Sequence, residues 1–373
     1  MRYMTAGESH GEQLVSIVDG MPADIKIDEK FLNNELSRRM VGYGRGGRMK
    51  IEKDKVHIVS GIRKGKTIGS PVSIIIKNKD FKIKELPPIF NARPGHADLA
   101  GALKYNQYDM RNMLERSSAR ETAEKVAVGA LCKLLLKEFN IDMLSHVLVL
   151  GNVGAYTDEM SYEQIKKAAE SADIRCADKK ARVLMKEEID KARQQGDSLG
   201  GICEVVIKGV PVGLGTYTQW DRRLDGEFAK ALMSIQAVKG VEIGGGFELA
   251  FLRGSQVHDE IFYDKKNGFR RITNNAGGIE AGMSNGEYIV LRVAMKPIAT
   301  LMSPLSTVNV KTKKEVSAQV ERADVCAVSA CGVVAEAVSA YVIANAMVEK
   351  FGGDSIGEMK RNYESYLKQV KNF

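Results

Sequence analysis

Two histidines lie in short segments that contain glycine, and they are the side chains best suited to proton transfer. His10 lies in Gly7-Glu-Ser-His-Gly11, and His96 lies in Arg93-Pro-Gly-His-Ala-Asp98. Glycines and the Pro-Gly pair predict tight turns that expose the imidazole rings. An imidazole exchanges protons near neutral pH, so either ring could serve as a general acid or base. The alternative for each is a structural or surface histidine.

Arginines and serines surround a predicted helix start within Arg116–Ala130. Ser118 and Glu121 have the spacing of a capping box, which predicts that a helix begins here. The first turn of a helix presents free backbone N–H groups and the positive end of the helix dipole. With Arg116 and Arg120 beside it, this turn is suited to hold a phosphate or a carboxylate. An ordinary capped helix with surface arginines is the alternative.

A glycine-rich loop with two arginines follows the first predicted helix. Gly42, Gly44 and Gly47 match the pattern G-x-G-x-x-G. No strand precedes them and a charged segment follows, so a dinucleotide-binding fold is not indicated. We predict instead a loop that carries Arg45 and Arg48 and folds over an anion. A solvated basic loop is equally compatible with this segment.

Helices and strands alternate along the chain without a regular βαβ rhythm. Strands are predicted at 14–18, 56–60, 72–77, 143–153, 200–209, within 242–252 and at 288–295, and helices at 28–40, after Ser161, at 178–195, 226–238, 329–349 and after Ser355. Val183, Leu184, Ile189 and Ala192 are expected on an inward helix face, and Asp98 is expected to cap a helix. Residues 78–95 are predicted to form a long surface loop. The mixture predicts an α+β fold in one large domain, residues 1–373.

The composition favours an anionic partner and argues against several classes of site. The 373 residues carry a net charge of +8, and only 6% of them are aromatic. The charge does not choose between nucleic acid, membrane and small anions, but scarce aromatics disfavour stacking platforms for single strands. The five cysteines show no C-x-x-C spacing. They indicate neither a zinc site nor a disulfide framework, and they fit a reducing cytosol.

Familiar catalytic motifs are missing from the sequence. It contains no P-loop, no H-E-x-x-H, no G-x-S-x-G and no H-R-D. The N-terminus lacks the hydrophobic region of a signal peptide. The apolar run at 329–348 contains Glu336 and is interpreted as a buried helix rather than a membrane span. The remaining groups suit the binding of a multiply anionic small molecule, with histidine or aspartate moving a proton.

Seven motifs, in order along the whole chain, together resemble the chorismate synthase family. They are Gly7–Gly11, Arg93–Asp98, Arg116–Ala123, Gly196-Asp-Ser-Leu-Gly-Gly201, the glycine-rich Asn274–Gly286, Lys296-Pro297 and Arg322-x-Asp324. The resemblance implies a carbon–oxygen lyase that performs the last step of the shikimate pathway. In this step 5-enolpyruvylshikimate 3-phosphate loses phosphate and a ring hydrogen in a 1,4-anti elimination and gives chorismate.

The resemblance also implies a cofactor, an architecture and a cellular setting. The cofactor is reduced FMN, used without net redox change, with NADPH as a source of reducing equivalents. The family fold is a β-α-β sandwich of antiparallel sheets and helices, a single α+β domain that assembles as a homotetramer. A cytoplasmic protein without nucleic-acid or membrane partners is expected, and no metal is implied.

Individual residues take roles from the resemblance. His10 would protonate the departing phosphate, His96 would manage the proton on the reduced flavin near N1, and Asp324 would assist the proton relay near N5. Contacts to substrate would come from Ser9, Arg39, Arg45, Arg120 and Arg322, with Arg39 and Arg45 also assigned to NADP. Contacts to FMN would come from Arg116, Ser117, Ser118, Gln236, Ala237, Ala281, Lys296, Pro297, Ile298, Ala299, Thr300 and Arg322.

Three positions depart from the family pattern. Ala281 lies where glycine is expected, Ala299 lies where proline or serine is frequent, and Ala323 replaces serine or histidine. These departures bear on the flavin contacts and not on the two histidines. Two other classes remain as alternatives: a nucleic-acid-binding protein that uses scattered arginines, and a flavin oxidoreductase that consumes NADPH. The loops at 42–50 and 78–95 are expected to become ordered when FMN and substrate bind.

Overall fold

The computed structural model describes residues 1–47, 51–265, 268–321 and 323–373. Arg48 and Arg322, two arginines predicted to contact ligands, lie outside these described residues, and so does the end of the loop predicted at 42–50. Within the described residues, two antiparallel sheets enclose a layer of helices.

One outer layer is a four-stranded sheet. Its strands are β1 (Arg2–Ala6), β2 (Gln13–Asp19), β3 (Val56–Ser60) and β6 (Val72–Lys77). They pair antiparallel in the order β1-β2-β6-β3. Side chains alternate along β2, where Leu14 and Val18 are buried and Ile17 is exposed, so one face of the sheet covers the core.

The other outer layer is a five-stranded sheet. Its strands are β7 (Asp142–Leu150), β8 (Val153–Gly154), β9 (Gly201–Lys208), β10 (Val238–Ile243) and β15 (Ile289–Met295). They pair antiparallel in the order β10-β15-β9-β7-β8. The antiparallel pairing of both sheets agrees with the predicted α+β fold. It does not fit a doubly wound fold, whose sheet is mostly parallel.

Buried helices fill the space between the sheets. Helix α4 (Thr122–Lys137) packs against β1, β2 and β6, and helix α9 (Val328–Phe351) packs against β7, β9 and β15. The two helices cross at Gly129, where a Cβ atom would lie 2.4 Å from Cα of Ala337, so only glycine permits this approach. The three layers confirm the predicted α+β fold of the β-α-β sandwich type.

Helix α9 is, in the described part of the chain, the helix long and apolar enough to span a membrane. Most of it is buried between the sheets, as the sequence analysis interpreted it. Helix α1 (Glu29–Met40) packs against both α4 and α9. It begins at the predicted cap, where the carboxylate of Asp28 accepts a hydrogen bond from the N–H of Phe31.

The remaining elements surround these layers. The other helices of the described residues are α2 (Asp98–Tyr105), α3 (Arg111–Ser117), α5 (Tyr162–Glu170), α6 (Lys179–Gln195), α7 (Leu224–Met233), α8 (Gly254–Val257) and α10 (Ile356–Lys371). Short hairpins are formed by β4 (Ile62–Arg63) with β5 (Lys66–Thr67), β11 (Ile261–Asp264) with β12 (Gly268–Arg271), β13 (Ile279–Glu280) with β14 (Met283–Ser284), and β16 (Ser306–Val308) with β17 (Glu315–Ser317). Turns of 3-10 helix cover Ala119–Glu121, Trp220–Arg222 and Gly246–Phe251.

A cluster of buried charges holds α1, α4, α5 and α9 together. The buried charge cluster consists of Glu35, Arg38, Lys133, Glu170, Arg175 and Glu336. The fully buried carboxylate of Glu336 accepts hydrogen bonds from Arg38 at 2.7 and 2.9 Å and from Lys133 at 2.6 Å. Burial alone would raise the pKa of Glu336, but the charges of Arg38 and Lys133 outweigh it and hold that pKa well below its usual range.

Three sequence predictions about elements outside the site are wrong, because tertiary contacts set the ends of these elements and the helix face that is buried. Helix α7 ends at Met233 rather than 238, and Val238 begins strand β10 by pairing with Met295. That strand ends at Ile243, and a 3-10 helix occupies much of the strand predicted within 242–252. Val183 and Leu184 are exposed, whereas α6 buries Ala181, Met185, Ile189 and Ala192.

Candidate active site

His10 lies in the loop between β1 and β2 and is held by Glu115 at the end of α3. The backbone N–H of His10 donates to Oε2 of Glu115 at 2.7 Å, and Nδ1 of its ring lies 2.9 Å from Oε1. Burial works to raise the pKa of Glu115, but the hydrogen bonds from His10 outweigh it and lower that pKa. An ionised carboxylate only accepts, so Nδ1 carries the proton and Nε2 is the nitrogen for proton exchange. Ser9 is buried and donates its N–H to the carbonyl of Glu115 at 2.9 Å.

Asn78 connects the His10 loop to two buried arginines. Its amide nitrogen donates to the carbonyl of Gly11 at 2.8 Å, and its amide oxygen accepts from Nε of Arg120 at 2.8 Å. Nη1 of Arg120 then contacts both carboxylate oxygens of Asp54, at 2.7 and 2.8 Å, and Nη2 of Arg39 contacts Asp54 at 3.2 Å. The chain therefore brings the predicted substrate contacts Arg39 and Arg120 together beside His10.

Unused donors make this arginine pair suited to an anion. Nε of Arg39 and Nη2 of Arg120 are buried and have no hydrogen-bond partner among the described residues. Burial lowers the pKa of Arg39 to about 10; Asp54 opposes this shift, while the charges of Arg120 and Arg45 add to it. The guanidinium groups thus repel one another, and a bound phosphate or carboxylate would relieve the repulsion and accept from the unused N–H groups.

Asp324 lies against the glycine-rich loop that begins at Gly42. Its carboxylate accepts from the N–H of Gly46 at 2.6 Å and lies 3.1 Å from Nε of Arg45. The N–H of Val325 donates to the carbonyl of Gly44 at 2.9 Å. The loop therefore holds the predicted proton-relay residue beside a predicted substrate contact. Arg322, assigned to both substrate and flavin, lies outside the described residues.

His96 has a carboxylate partner of its own. Its Nδ1 lies 2.5 Å from Oδ1 of Asp98, and Arg93 donates to the same carboxylate from Nε at 2.8 Å and from Nη2 at 3.0 Å. Burial would raise the pKa of Asp98, but the hydrogen bonds from His96 and Arg93 outweigh it and hold that pKa well below its usual range. Asp98 is the first residue of α2 and does not cap it, so that prediction is wrong: its side chain is used by His96 and Arg93 instead.

Arg116, Ser117 and Ser118, the first predicted flavin contacts, lie at the end of α3. Arg116 is exposed and donates to the carbonyls of Thr5 and Gly7, each at 2.9 Å, so it ties the His10 loop to α3. Ser117 donates its hydroxyl to a carbonyl of α3, at Met113. Ser118 accepts from the N–H of Arg120 and begins a 3-10 turn, and α4 itself starts four residues later.

The predicted capping box does not close, because the carboxylate of Glu121 has other partners. It accepts from the amide of Gln236 at 2.8 Å and from the hydroxyl of Thr5 at 3.2 Å. The other amide atom of Gln236, Oε1, is buried without a hydrogen-bond partner among the described residues. The residues before α4 thus contact a second predicted flavin segment, Gln236–Ala237. The Oε1 atom of Gln236 is available to accept a hydrogen bond from a ligand.

Residues 296–300 connect the predicted flavin segment Gln236–Ala237 to His96. The N–H of Lys296 donates to the carbonyl of Ala237 at 2.9 Å, and its amine donates to the carbonyl of Gly95 at 2.6 Å. The hydroxyl of Thr300 accepts from Nη1 of Arg93 at 2.9 Å. Between them, the carbonyl of Ile298 accepts from Ser198 at 2.7 Å. Pro297 and Ala299 lie in the same segment, so this part of the predicted flavin site is continuous.

Ala281 is set apart from the other predicted flavin contacts. It lies in the turn between β13 and β14, where the carbonyl of Gly282 accepts from Leu224 at the start of α7. Gln236 follows the other end of α7, and a ten-residue helix is about 15 Å long. Ala281 has a φ of +48°, so alanine occupies the left-handed conformation for which glycine was expected.

Sequence reasoning missed the carboxylates and the amide that hold the histidines and arginines. Glu115, Asp54 and Asn78 were assigned no role, and Asp98 was interpreted only as a cap. Three of these partners are nearly fully buried, and their burial as charged groups beside a histidine or an arginine is the signal of a site. Among the described residues, no cluster of histidine, cysteine, aspartate and glutamate is arranged to hold a metal.

Comparison with known proteins identifies the family. A sequence model of the family described as chorismate synthase matches residues 1–348. The chain belongs to the chorismate synthase family. It is 56% identical to the chorismate synthase of Thermoanaerobacter pseudethanolicus and 52% identical to that of Geobacter sulfurreducens, with each alignment covering all of both chains. Among solved structures, a crystal structure of a chorismate synthase superposes with a TM-score of 0.83 at 43% identity, covering 100% of this chain and 98% of the other.

Membership in the chorismate synthase family confirms the resemblance drawn from the seven motifs. The structural likeness covers the whole chain and confirms the fold implied by that resemblance. Similarity over the full length to enzymes of this name supports chorismate synthase function for this chain.

Proposed function

We propose that this chain catalyses the 1,4-anti elimination of phosphate from 5-enolpyruvylshikimate 3-phosphate, giving chorismate, with reduced FMN as cofactor. The observation that carries the proposal is the pair of buried arginines, Arg39 and Arg120, whose unused N–H groups lie in the cluster joined to His10. The substrate carries a phosphate and two carboxylates. Guanidinium donors in a buried site bind such groups strongly because water does not compete.

His10 is proposed as the general acid for the leaving phosphate. The bond between the ring carbon and the phosphate oxygen breaks, and Nε2 of His10 supplies a proton to the departing group. Glu115 acts as a positioning residue: it accepts from Nδ1, fixes the ring and stabilises the protonated imidazole. Ser9, Arg39, Arg45 and Arg120 are proposed to hold the anionic groups of the substrate. Arg322 keeps its proposed contact to substrate and flavin.

The flavin is proposed to lie along the segments that connect Arg116 with His96. The residues of these segments proposed to hold it are Arg116, Ser117, Ser118, Gln236, Ala237 and Lys296 to Thr300. Ala281 keeps its proposed flavin contact, although it lies apart from them near the start of α7. The unpartnered acceptor of Gln236 supports this assignment, since a flavin presents N–H groups. When bound, reduced FMN lends electron density transiently and recovers it, so the reaction has no net redox change.

His96 is proposed to manage the proton on the reduced flavin near N1, and Asp324 is proposed to assist the proton relay near N5. His96 has Asp98 as a hydrogen-bond partner, and Asp324 accepts from the N–H of Gly46, so each side chain has a partner that orients it. We further propose that residues 1–373 form one domain whose loops at 42–50 and 78–95 order on ligand binding. The protein is also proposed to be a cytoplasmic homotetramer. NADPH is proposed to contact Arg39 and Arg45 and to serve as a source of reducing equivalents.

The proposal is tested by an anaerobic assay. Purified protein, photoreduced FMN and 5-enolpyruvylshikimate 3-phosphate are mixed, and phosphate and chorismate are followed together. We expect equal release of both products with reduced FMN and neither product with oxidised FMN. A folded protein that binds FMN but releases neither product would overturn the proposal. In a parallel assay with oxidised FMN and added NADPH, net NADPH consumption without chorismate would instead identify a flavin oxidoreductase.

A further inference from the structure

Glu124 is a buried carboxyl group in the first turn of α4 to which no role has been assigned. It is 1% exposed, and neither carboxyl oxygen has a hydrogen-bond partner among the described residues. A buried polar group without a partner is costly and is rare in folded proteins. Its position therefore calls for an explanation in terms of its neighbours.

The charged neighbour of Glu124 is Arg116, which is proposed above to contact the flavin. Nη1 of Arg116 lies 3.8 Å from Oε2 of Glu124, beyond hydrogen-bond reach but within strong electrostatic range. Arg116 is 42% exposed in its side chain, so a ligand can reach the guanidinium from the side opposite Glu124. The same guanidinium donates to the carbonyls of Thr5 and Gly7, which fixes its place beside the His10 loop.

The other groups that face Glu124 are few in the described structure. From its own helix and the preceding turn, the carboxylate of Glu121 disfavours ionisation of Glu124. From the sheet, the backbone N–H groups of Val15 and Ala6 favour ionisation, although neither reaches the carboxyl group with hydrogen-bond geometry. Burial is the largest influence and raises the pKa of Glu124 to about 8, with Arg116 opposing the rise.

We propose that Glu124 is a positioning residue that sets the charge Arg116 presents to the anionic flavin. A neutral Glu124 leaves the guanidinium charge available to the ligand. An ionised Glu124, enclosed where water does not screen it, cancels much of that charge and repels the flavin phosphate. This inference rests on the proposed flavin contact of Arg116.

The experiment is a titration of the protein with oxidised FMN, followed by quenching of flavin fluorescence. It starts at about pH 7, above the second pKa near 6 of a phosphate monoester, and is repeated at about pH 9. We expect FMN affinity of the wild type to fall roughly fivefold over this range, the effect of a coupling of about one pKa unit between Glu124 and the ligand. Glu124→Gln, which has the same shape and no charge, should give equal affinities at both pH values.

Two further variants make the result specific. Glu138→Gln removes a carboxylate just beyond the far end of α4, about 21 Å from Glu124, and should keep the pH dependence of the wild type. Glu124→Met is uncharged and of similar length, so it should reproduce the flat profile of Glu124→Gln. It also provides a second test if the glutamine variant does not fold.

Proton uptake gives an independent measurement. Because linkage is reciprocal, FMN binding should raise the pKa of Glu124 and draw up to about half a proton near pH 8.5. Calorimetric titration in buffers of different ionisation enthalpy measures this uptake, which should vanish in Glu124→Gln. Equal pH dependence of FMN affinity in the wild type and in both Glu124 variants would overturn this inference alone. Failure of the wild type to bind FMN at either pH would overturn the flavin assignment together with it.

Discussion

The buried charge cluster predicts that removing the charge of Glu336 destabilises the protein strongly. The cluster balances three carboxylates, Glu35, Glu170 and Glu336, with three cations, Arg38, Lys133 and Arg175. Glu336→Gln keeps the shape of the side chain and leaves one buried cation without compensation. Breaking a buried ion pair from one side costs about 3–5 kcal/mol, so we expect a loss of about that size in the free energy of unfolding.

The expected loss is set by burial and geometry rather than by the number of contacts. Glu336 and Lys133 are 0% and 9% exposed in their side chains, and their charged atoms are 2.6 Å apart. A matched control is Glu138→Gln, because in its ion pair with Lys360 the side chain of Glu138 is 33% exposed and that of Lys360 is 41% exposed. An exposed pair of this kind contributes less than about 1 kcal/mol. The comparison therefore isolates the effect of burial.

Urea unfolding of each variant measures the change, and a second substitution tests its cause. Adding Lys133→Met to Glu336→Gln leaves two carboxylates and two cations, so the double variant should be more stable than the sum of the single effects by about 2 kcal/mol. A loss below about 1 kcal/mol for Glu336→Gln, or strict additivity in the double variant, would refute the electrostatic reasoning.

The same cluster predicts a pH dependence with a definite sign. The folded state holds the pKa of Glu336 well below the unfolded value of 4.5. Its contribution to stability is therefore present above about pH 4.5 and is lost as the pH falls further. The difference in stability between the wild type and Glu336→Gln should shrink on acidification, which urea titrations at several acidic pH values would measure.

Three further predictions concern the site. His10→Ala should slow the proposed elimination by a factor of about 10²–10⁴, whereas His57→Ala, on the exposed side of β3, should leave turnover and circular dichroism unchanged. Glu115→Gln should slow the same step less than His10→Ala does, because Glu115 acts only by orienting the imidazole ring of His10. A wild-type kcat in Glu115→Gln would contradict this positioning role. Glu124→Gln should stabilise the fold by about 3 kcal/mol at pH 7. The pKa of Glu124 is about 8 in the folded state and 4.5 in the unfolded state, so the wild type loses stability as the pH rises between these two values. Thermal melts at pH 5 and pH 7 measure how much more stable Glu124→Gln is than the wild type. A difference that does not grow from pH 5 to pH 7 would contradict this prediction.

Local signals in the sequence predicted the start of several helices. Asp28, Ser161 and Ser355 each cap the helix expected of them, because a capping hydrogen bond spans only three residues. Of the residues predicted on the inward face of α6, Ile189 and Ala192 are buried, but Val183 and Leu184 are exposed. The layer beneath the helix, not the helix itself, selects which residues are buried. Likewise, the end of α7 depends on Val238 pairing with Met295, a contact that local periodicity does not contain.

The site was predictable to the extent that its residues lie in recognisable loops. His10 and His96 were found because glycine turns flank them, and the roles of the arginines came from the family resemblance. Their partners were missed because the contacts cross long stretches of chain: 105 residues separate His10 from Glu115, and 66 separate Arg120 from Asp54. Pairing over such distances is decided by the packing of the whole fold.

The bond between Gly46 and Asp324 joins residues 278 positions apart, so the candidate site is built from both ends of the chain. A polypeptide still emerging from the ribosome can form the first sheet and the His10 loop while the residue beside Arg45 has not yet been made. Closing so long a loop is slow and entropically costly. Ligands that bridge the two segments would bind only the completed fold, and the concentration of substrate in the cell would then contribute to how long each molecule stays folded.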